Sequence, residues 1–85
     1  HTVCGVVTAE FLAFSKGKGN DLTRALPQYN FPGLVEGDYW CLCVSRWLEA
    51  YRAGLAPKIK LAASHQKTLD YVSLEVLTSF AIDDV

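Results

Sequence analysis

Charge is scarce in this chain and nearly balanced. Eight Lys and Arg stand against nine Asp and Glu, for a formal net charge of -1, and only 20% of the residues are charged. Nucleic-acid binding needs a basic patch or a strongly basic domain, and the composition supplies neither. Lys16, Lys18 and Arg24 make only a loose basic neighbourhood, and Asp83 and Asp84 an acidic end; both read as solvated surface. Long apolar runs are missing as well. None approaches the roughly 18 residues needed to cross a bilayer and nothing resembles a signal peptide, so a soluble protein without membrane insertion is expected. Cysteine is limited to three residues. A secreted domain stapled by disulfides would show an even set, so the odd count points to a reducing compartment. The sequence also has no internal repeat and no low-complexity tract.

What is present is the balance of a folded domain, with 51% hydrophobic residues in a chain of 85. That length makes one domain, which buries somewhat more than roughly 60% of the surface its unfolded chain exposes. The chain starts at His1 rather than Met, directly in a strand-like run, as expected for a piece of a longer protein. Residues 2–7 form a continuous apolar and β-branched run and read as a buried strand. Thr8 ends that strand and caps a helix over 9–16, with Glu10 in its first turn and Phe11, Leu12 and Phe14 on its inner face. Gly17 and Gly19 stop it. From 17 to 37 turn signals dominate, and a loop of about 20 residues is long enough to need its own packing. Leu22, Leu26, Tyr29, Phe31 and Leu34 supply the anchors of an ordered loop, with one helical turn near 22–26.

The stretch Asp38-Tyr39-Trp40-Cys41-Leu42-Cys43-Val44-Ser45-Arg46-Trp47 concentrates both tryptophans and two cysteines. Trp40, Val44, Trp47, Leu48 and Tyr51 follow helical spacing, which predicts a helix over 38–53 with Asp38 as its N-cap and Gly54 as its stop. Lys58-Ile59-Lys60-Leu61 alternates and reads as a strand over 58–63. Leu69, Val72, Val76 and Phe80 share one face of a helical segment over 65–81, which Ser73 is placed to split in two. The expected architecture is therefore a single α+β domain: a small sheet with strands near 2–7 and 58–63, packed against about three helices.

The cysteine geometry turns on this assignment. On a strand, Cys41 and Cys43 would project to one side; on a helix they lie about 200° apart and cannot chelate one ion together. The remaining candidates for a metal are Cys4, His1 and His65, too few with either of these cysteines to make a convincing site, so no metal centre is expected from these residues alone. A catalytic reading puts Cys41 or Cys43 in the first turn of the helix, with His65 as base and Asp38 or Asp21 orienting it. The plainer reading makes the cysteines small buried hydrophobes and both histidines ordinary surface residues. Arg46 is placed for an internal salt bridge or a partner's carboxylate. One of Trp40 and Trp47 should be core and the other an exposed anchor. Asn20 and Asp21 stabilise a turn or contribute to a partner surface. Gly17-Lys18-Gly19 is not a phosphate loop, since no strand precedes it, and no motif calls for a cofactor.

Taken together, His1-Thr2-Val3-Cys4, Glu10-Phe11-Leu12, Gly19-Asn20-Asp21-Leu22, Phe31-Pro32-Gly33-Leu34, Gly37-Asp38, Trp40-Cys41-Leu42-Cys43, Arg46-Trp47 and Ala56-Pro57 resemble the family catalogued as domain of unknown function 2237. The resemblance implies a small α+β domain of bacteria, plants and algae, with no established activity. It also implies further residues before the position of His1, including a Cys-Cys pair and a Thr-Gly turn, so that this chain is the C-terminal two-thirds of a longer domain. Thr23-Arg24-Ala25-Leu26-Pro27 departs from the Ser-Thr-Pro pattern of many relatives. The expected function is a non-enzymatic binding or accessory module, a subunit of a larger assembly with a protein partner, in the cytoplasm or plastid stroma. The alternatives are a small enzyme with a Cys/His site, or a metal or redox site completed by upstream cysteines.

Overall fold

The apolar run at the start of the chain forms strand β1 (Val3–Val6) and becomes the middle of a three-stranded sheet. The computed structural model describes residues 1–83, and Asp84 of the acidic end lies outside them. Strand β2 (Tyr39–Leu42) pairs antiparallel with one edge of β1, in the register Val3–Leu42, Cys4–Cys41, Gly5–Trp40 and Val6–Tyr39. Strand β3 (Lys58–Ile59) pairs antiparallel with the other edge, Ile59 opposite Gly5. The fold is α+β, as expected, but the sheet holds a third strand that local periodicity did not reveal.

Helix α1 (Ala9–Gly17) follows the sequence closely. Thr8 Oγ1 accepts from Phe11 N at 3.0 Å, and Phe11, Leu12 and Ser15 are the buried face. The loop that follows is ordered by its own contacts. Leu26 and Phe31 exchange backbone bonds of 2.7 and 3.1 Å, and Leu34 N donates to Leu22 O at 2.8 Å. The expected turn at 22–26 falls instead at Pro27–Tyr29 as a 3-10 turn, where proline at the first position presets φ. Leu22, Phe31 and Leu34 reach the core; Tyr29, at 75% exposure, does not anchor the loop. Gly33 sits at φ +86°, where an added Cβ would also run into the Thr23 carbonyl, so the loop closes only with glycine there.

The segment expected as one helix over 38–53 divides into β2 and helix α2 (Val44–Arg52). Aromatic residues at 39 and 40 fit a pleated surface, and β1 has an edge whose N–H and C=O groups need partners; pairing outweighs the helical spacing. Asp38 therefore caps no helix. Its Oδ2 accepts from Val35 N at 3.0 Å in the turn before β2, and its carbonyl accepts from Val7 N at 3.0 Å. Because β2 and β3 both run antiparallel to β1, they are parallel to each other, and α2 crosses over β1 to connect them.

The expected strand over 58–63 is cut to Lys58–Ile59 and continues as a 3-10 turn, Leu61–Ala63. The segment over 65–81 is indeed split: a 3-10 helix, Gln66–Asp70, and helix α3 (Leu74–Ser79), whose N-cap Ser73 accepts from Val76 N at 3.2 Å. After α3 the chain returns beside β3, with Ile59 N to Phe80 O and Ile82 N to Ile59 O, both 2.9 Å. Asp83 fastens this return by accepting from Leu61 N at 2.8 Å and Ala62 N at 3.0 Å. Those two backbone donors hold the Asp83 carboxyl below its ordinary value of 3.8.

The core lies on one side of the sheet. Val3, Val7, Leu42 and Ile59 meet Phe11 and Leu12 of α1, Trp47 and Ala50 of α2, and Val72 and Leu77. Trp47 is fully buried, stacks on Tyr51 at 5.4 Å, meets Phe80 edge-on at 5.2 Å and donates from Nε1 to Pro57 O at 3.2 Å. Burying so large a ring while satisfying its single donor is the condition under which tryptophan contributes most to a small core.

Gly5 is required by close approach: an added Cβ would strike the Lys58 carbonyl oxygen and stand 2.9 Å from Ile59 Cα. Gly5→Ala is expected to cost about 3 kcal/mol, the upper range for overpacking, measured by urea unfolding. Gly17→Ala, with open space around its Cβ, should be neutral or mildly stabilising. A depressed Asp83 carboxyl contributes stability that is present above pH 4 and is lost as pH falls through its lowered value. Asp83→Asn should therefore reduce the acid-side slope of stability against pH while leaving the slope between pH 6 and 8 unchanged.

Candidate functional site

Alternation along β1 sends Val3, Gly5 and Val7 inward and Thr2, Cys4 and Val6 outward. Both backbone groups of Cys4 face the β3 side: its N–H donates to Ser64 Oγ at 3.1 Å and its carbonyl accepts from Lys60 N at 2.7 Å. The Cys4–Cys41 pair is therefore the non-hydrogen-bonded kind, in which facing side chains come closest. The two cysteines are joined by a disulfide, on the face of the sheet opposite the core.

This bridge corrects several expectations. Cys41 is neither in the first turn of a helix nor a free thiol, and Cys4 is not a small buried hydrophobe. The odd count of three resolves as one bridge and one free thiol, Cys43, so the count no longer argues for a reducing compartment. Cys43 is the N-cap of α2, with extended backbone at φ -63° and ψ 137°. That conformation continues the strand alternation, so Cys43 falls on the side of Cys41 instead of diverging from it. His1 Nε2 lies 3.7 Å from Cys43 Sγ.

Two depressions meet here. An open one of about 640 Å³ is lined by Cys4, Cys41, Tyr39, Trp40, Lys60 and His1, among others, and Lys60 reaches across the sheet to place its ammonium 5.6 Å from the Tyr39 ring. A smaller one of about 100 Å³ contains Cys41 and Cys43 with His1, Asn20, Trp40 and Arg46. His65, proposed as a base, lines neither. Its Nδ1 accepts from Lys67 N at 3.0 Å as the cap of the 3-10 helix, while its backbone N–H donates to Thr2 O at 2.7 Å. Asp38 is absent from both as well. The catalytic grouping of Cys41 with His65 and Asp38 is not assembled.

Trp47 belongs to the core and presents nothing to a partner, whereas Trp40, on β2, is 37% exposed and packs on Phe31 at 5.2 Å. The two rings share no helix face. Arg46 pairs with Glu49 at 3.3 Å, three residues on, and its Nη1 also donates to Lys18 O at 3.3 Å, tying α2 to the end of α1. With both side chains 37% exposed, that pair contributes at most a few tenths of a kcal/mol. Asn20 closes the end of α1, donating from Nδ2 to Ser15 Oγ at 3.1 Å. Asp21 makes the turn: the Thr23 hydroxyl and N–H donate to its Oδ1 at 2.6 and 3.0 Å and hold its carboxyl below the ordinary value.

Sequence reasoning named His1 only among the remaining metal candidates and passed over Tyr39 and Lys60. Only the assignment of β2 as a strand would have signalled Tyr39, because it alone brings residues 39 and 41 opposite 6 and 4. With Cys4 and Cys41 joined, no group of three or more His, Cys, Asp or Glu side chains among the described residues could hold a metal ion. No helix among them is long and apolar enough to cross a membrane.

In the native protein, iodoacetamide should label one cysteine per chain, Cys43, and all three after reduction and unfolding, counted by intact mass. His65→Ala should cost about 1 kcal/mol through loss of its cap and leave the Cys43 labelling rate unchanged. His1→Ala should change that rate.

No curated protein matches the chain. The model of a family described as an uncharacterized protein conserved in bacteria matches residues 1–81, and the chain belongs to that family, domain of unknown function 2237.

Proposed function

We propose that the protein is a small accessory module that exchanges thiols and disulfides with a cysteine-bearing protein partner, and is not a stand-alone enzyme for a small substrate. One observation carries this reading: a disulfide on the exposed face of the sheet, with the one free thiol two residues away on the same side. Exposed bridges have higher reduction potentials than well-protected ones, and labile and regulatory bridges are drawn from them. Cys41 is exposed and Cys4 half-buried, and neither belongs to the apolar core.

The exchange balances simply. A partner thiolate attacks Cys41 Sγ, the bond to Cys4 breaks, and Cys4 leaves as a thiolate that takes up a proton. A second thiol of the partner then displaces Cys41. The net change is oxidation of two partner thiols to a disulfide and reduction of the Cys4–Cys41 bridge. The open depression beside the bridge, with the Tyr39 ring and the Lys60 ammonium, suits an extended peptide segment better than a deeply enclosed small molecule. Membership of a larger assembly follows as the setting for such a partner.

The bridge spans a sequence separation of 37, so the chain-entropy account gives it about 4 kcal/mol. Reduction should lower the urea midpoint and leave the fold intact. In glutathione buffers of graded poise, followed by acid quench and alkylation, the bridge should open and reform reversibly, with a midpoint above about -300 mV. A bridge that resists glutathione throughout, or that reduces only as the protein unfolds, would leave it a purely structural staple.

A further inference from the structure

We propose that the reduced protein binds one zinc ion through His1, Cys4, Cys41 and Cys43. The inference rests on the thiol–disulfide reading in one respect, that the Cys4–Cys41 bridge opens. Opening it with a dithiol adds two electrons and two protons, turns the dithiol into its own disulfide, and leaves three thiols, whose protons are released when the metal binds.

In the oxidised structure His1 and Cys43 are in contact, and Cys4 and Cys41 become donors only when their bridge opens. His1 lines the depression that holds Cys4 and Cys41, and also the one that holds Cys41 and Cys43. A tetrahedral zinc ion, about 2.3 Å from sulfur and about 2.0 to 2.1 Å from nitrogen, sets those two donors about 3.6 Å apart. The His1 Nε2 to Cys43 Sγ distance is 3.7 Å. The two bonded sulfurs must part to about 3.8 Å for the same ion. Rotation of the two side chains achieves that, since both lie outside the packed core. Three cysteines and one histidine form a closed structural zinc set, and thiolate with imidazole selects such an ion over hard cations.

The backbone around the donors is held firmly. Cys4 is bonded to Ser64 and Lys60, Cys41 is within the β2 ladder, and Cys43 begins α2, whose amides Arg46 N and Trp47 N donate to the Cys43 carbonyl at 3.0 and 3.1 Å. Three thiolates and a divalent ion carry one net negative charge. Lys60 lines the depression that holds Cys4 and Cys41, so a positive side chain stands near that charge. His65, the histidine that sequence spacing favoured, is excluded by its engagement with Lys67 N. In this arrangement a partner disulfide that takes two electrons from Cys4 and Cys41, becoming a dithiol as their bridge re-forms, expels the metal, and a partner dithiol rebuilds the site, which couples partner redox state to metal binding at one place.

The test uses the chain reduced with a phosphine under argon, stripped of metal and checked for three free thiols. Titration with zinc against a chromophoric chelator should give one equivalent per chain. Cobalt in its place should give intense visible bands of a tetrahedral ion and thiolate charge-transfer absorption in the near ultraviolet. The oxidised chain should take up neither. His1→Ala and Cys43→Ser should each weaken zinc binding on the order of 100-fold or more, while His65→Ala binds like the parent. Circular dichroism of each variant separates loss of ligand from loss of fold. Three free thiols with no zinc uptake, or unchanged binding by both His1→Ala and Cys43→Ser, would overturn the proposal. The glutathione titration is read separately, so zinc binding by a chain whose bridge fails to equilibrate with glutathione would retain the metal site and remove the exchange function.

Discussion

Pairing of β1 along both of its edges is the constraint on which the rest of the structure depends. A strand four residues long exposes a small number of N–H and C=O groups, and nearly all of them find partners only because β2 and β3 lie on either side. The consequences are geometric. Two antiparallel neighbours are parallel to each other, so α2 must cross over β1, and it crosses on the core side with Trp47 beneath it. The backbone of β3 approaches β1 closely enough at Lys58–Ile59 that residue 5 has no room for a Cβ. Among the described residues no helix belongs to the other face of the sheet.

That uncovered face is where the chemistry gathers. The same register that satisfies the β1 backbone puts Cys4 opposite Cys41 at a non-hydrogen-bonded position, and the same extended alternation turns Cys43 to their side. Sulfur and imidazole are therefore concentrated on solvent-facing positions, while the aromatic mass of Trp47, Tyr51 and Phe80 is spent on the core. The division follows the ordinary logic of a two-layer fold, in which the face without a packing layer is free to carry reactive groups.

Elements governed by local chemistry were legible. The Thr8 cap, the inner face of α1, its glycine stop and the break at Ser73 depend on residues within one or two turns of each other, and each lies where the sequence places it. The turn character of Asn20 and Asp21 is of the same kind. The segment over 38–53 was not legible, because Trp40, Val44, Trp47 and Leu48 satisfy helical spacing while Tyr39 to Leu42 belong to a strand. Only the need of β1 for a partner more than 30 residues away in sequence decides between them. The error carried into the site, since a helical Cys41 and Cys43 diverge and a strand-borne pair does not. His65 was favoured over His1 for a similar reason: its place between a strand and a helix looks functional, but its ring is spent on the Lys67 amide.

By itself the sequence determined an α+β fold class, its first strand and helix, an ordered loop with apolar anchors, and the family to which the chain belongs. These rest on side-chain chemistry and short-range spacing, which any conformation of the chain carries. The third strand, the Cys4–Cys41 bridge, the approach of His1 to Cys43 and the separate fates of the two tryptophans were decided only by the tertiary structure. Each is a relation between residues far apart in the chain, and hydrogen-bond pairing across β1 is what brings them together.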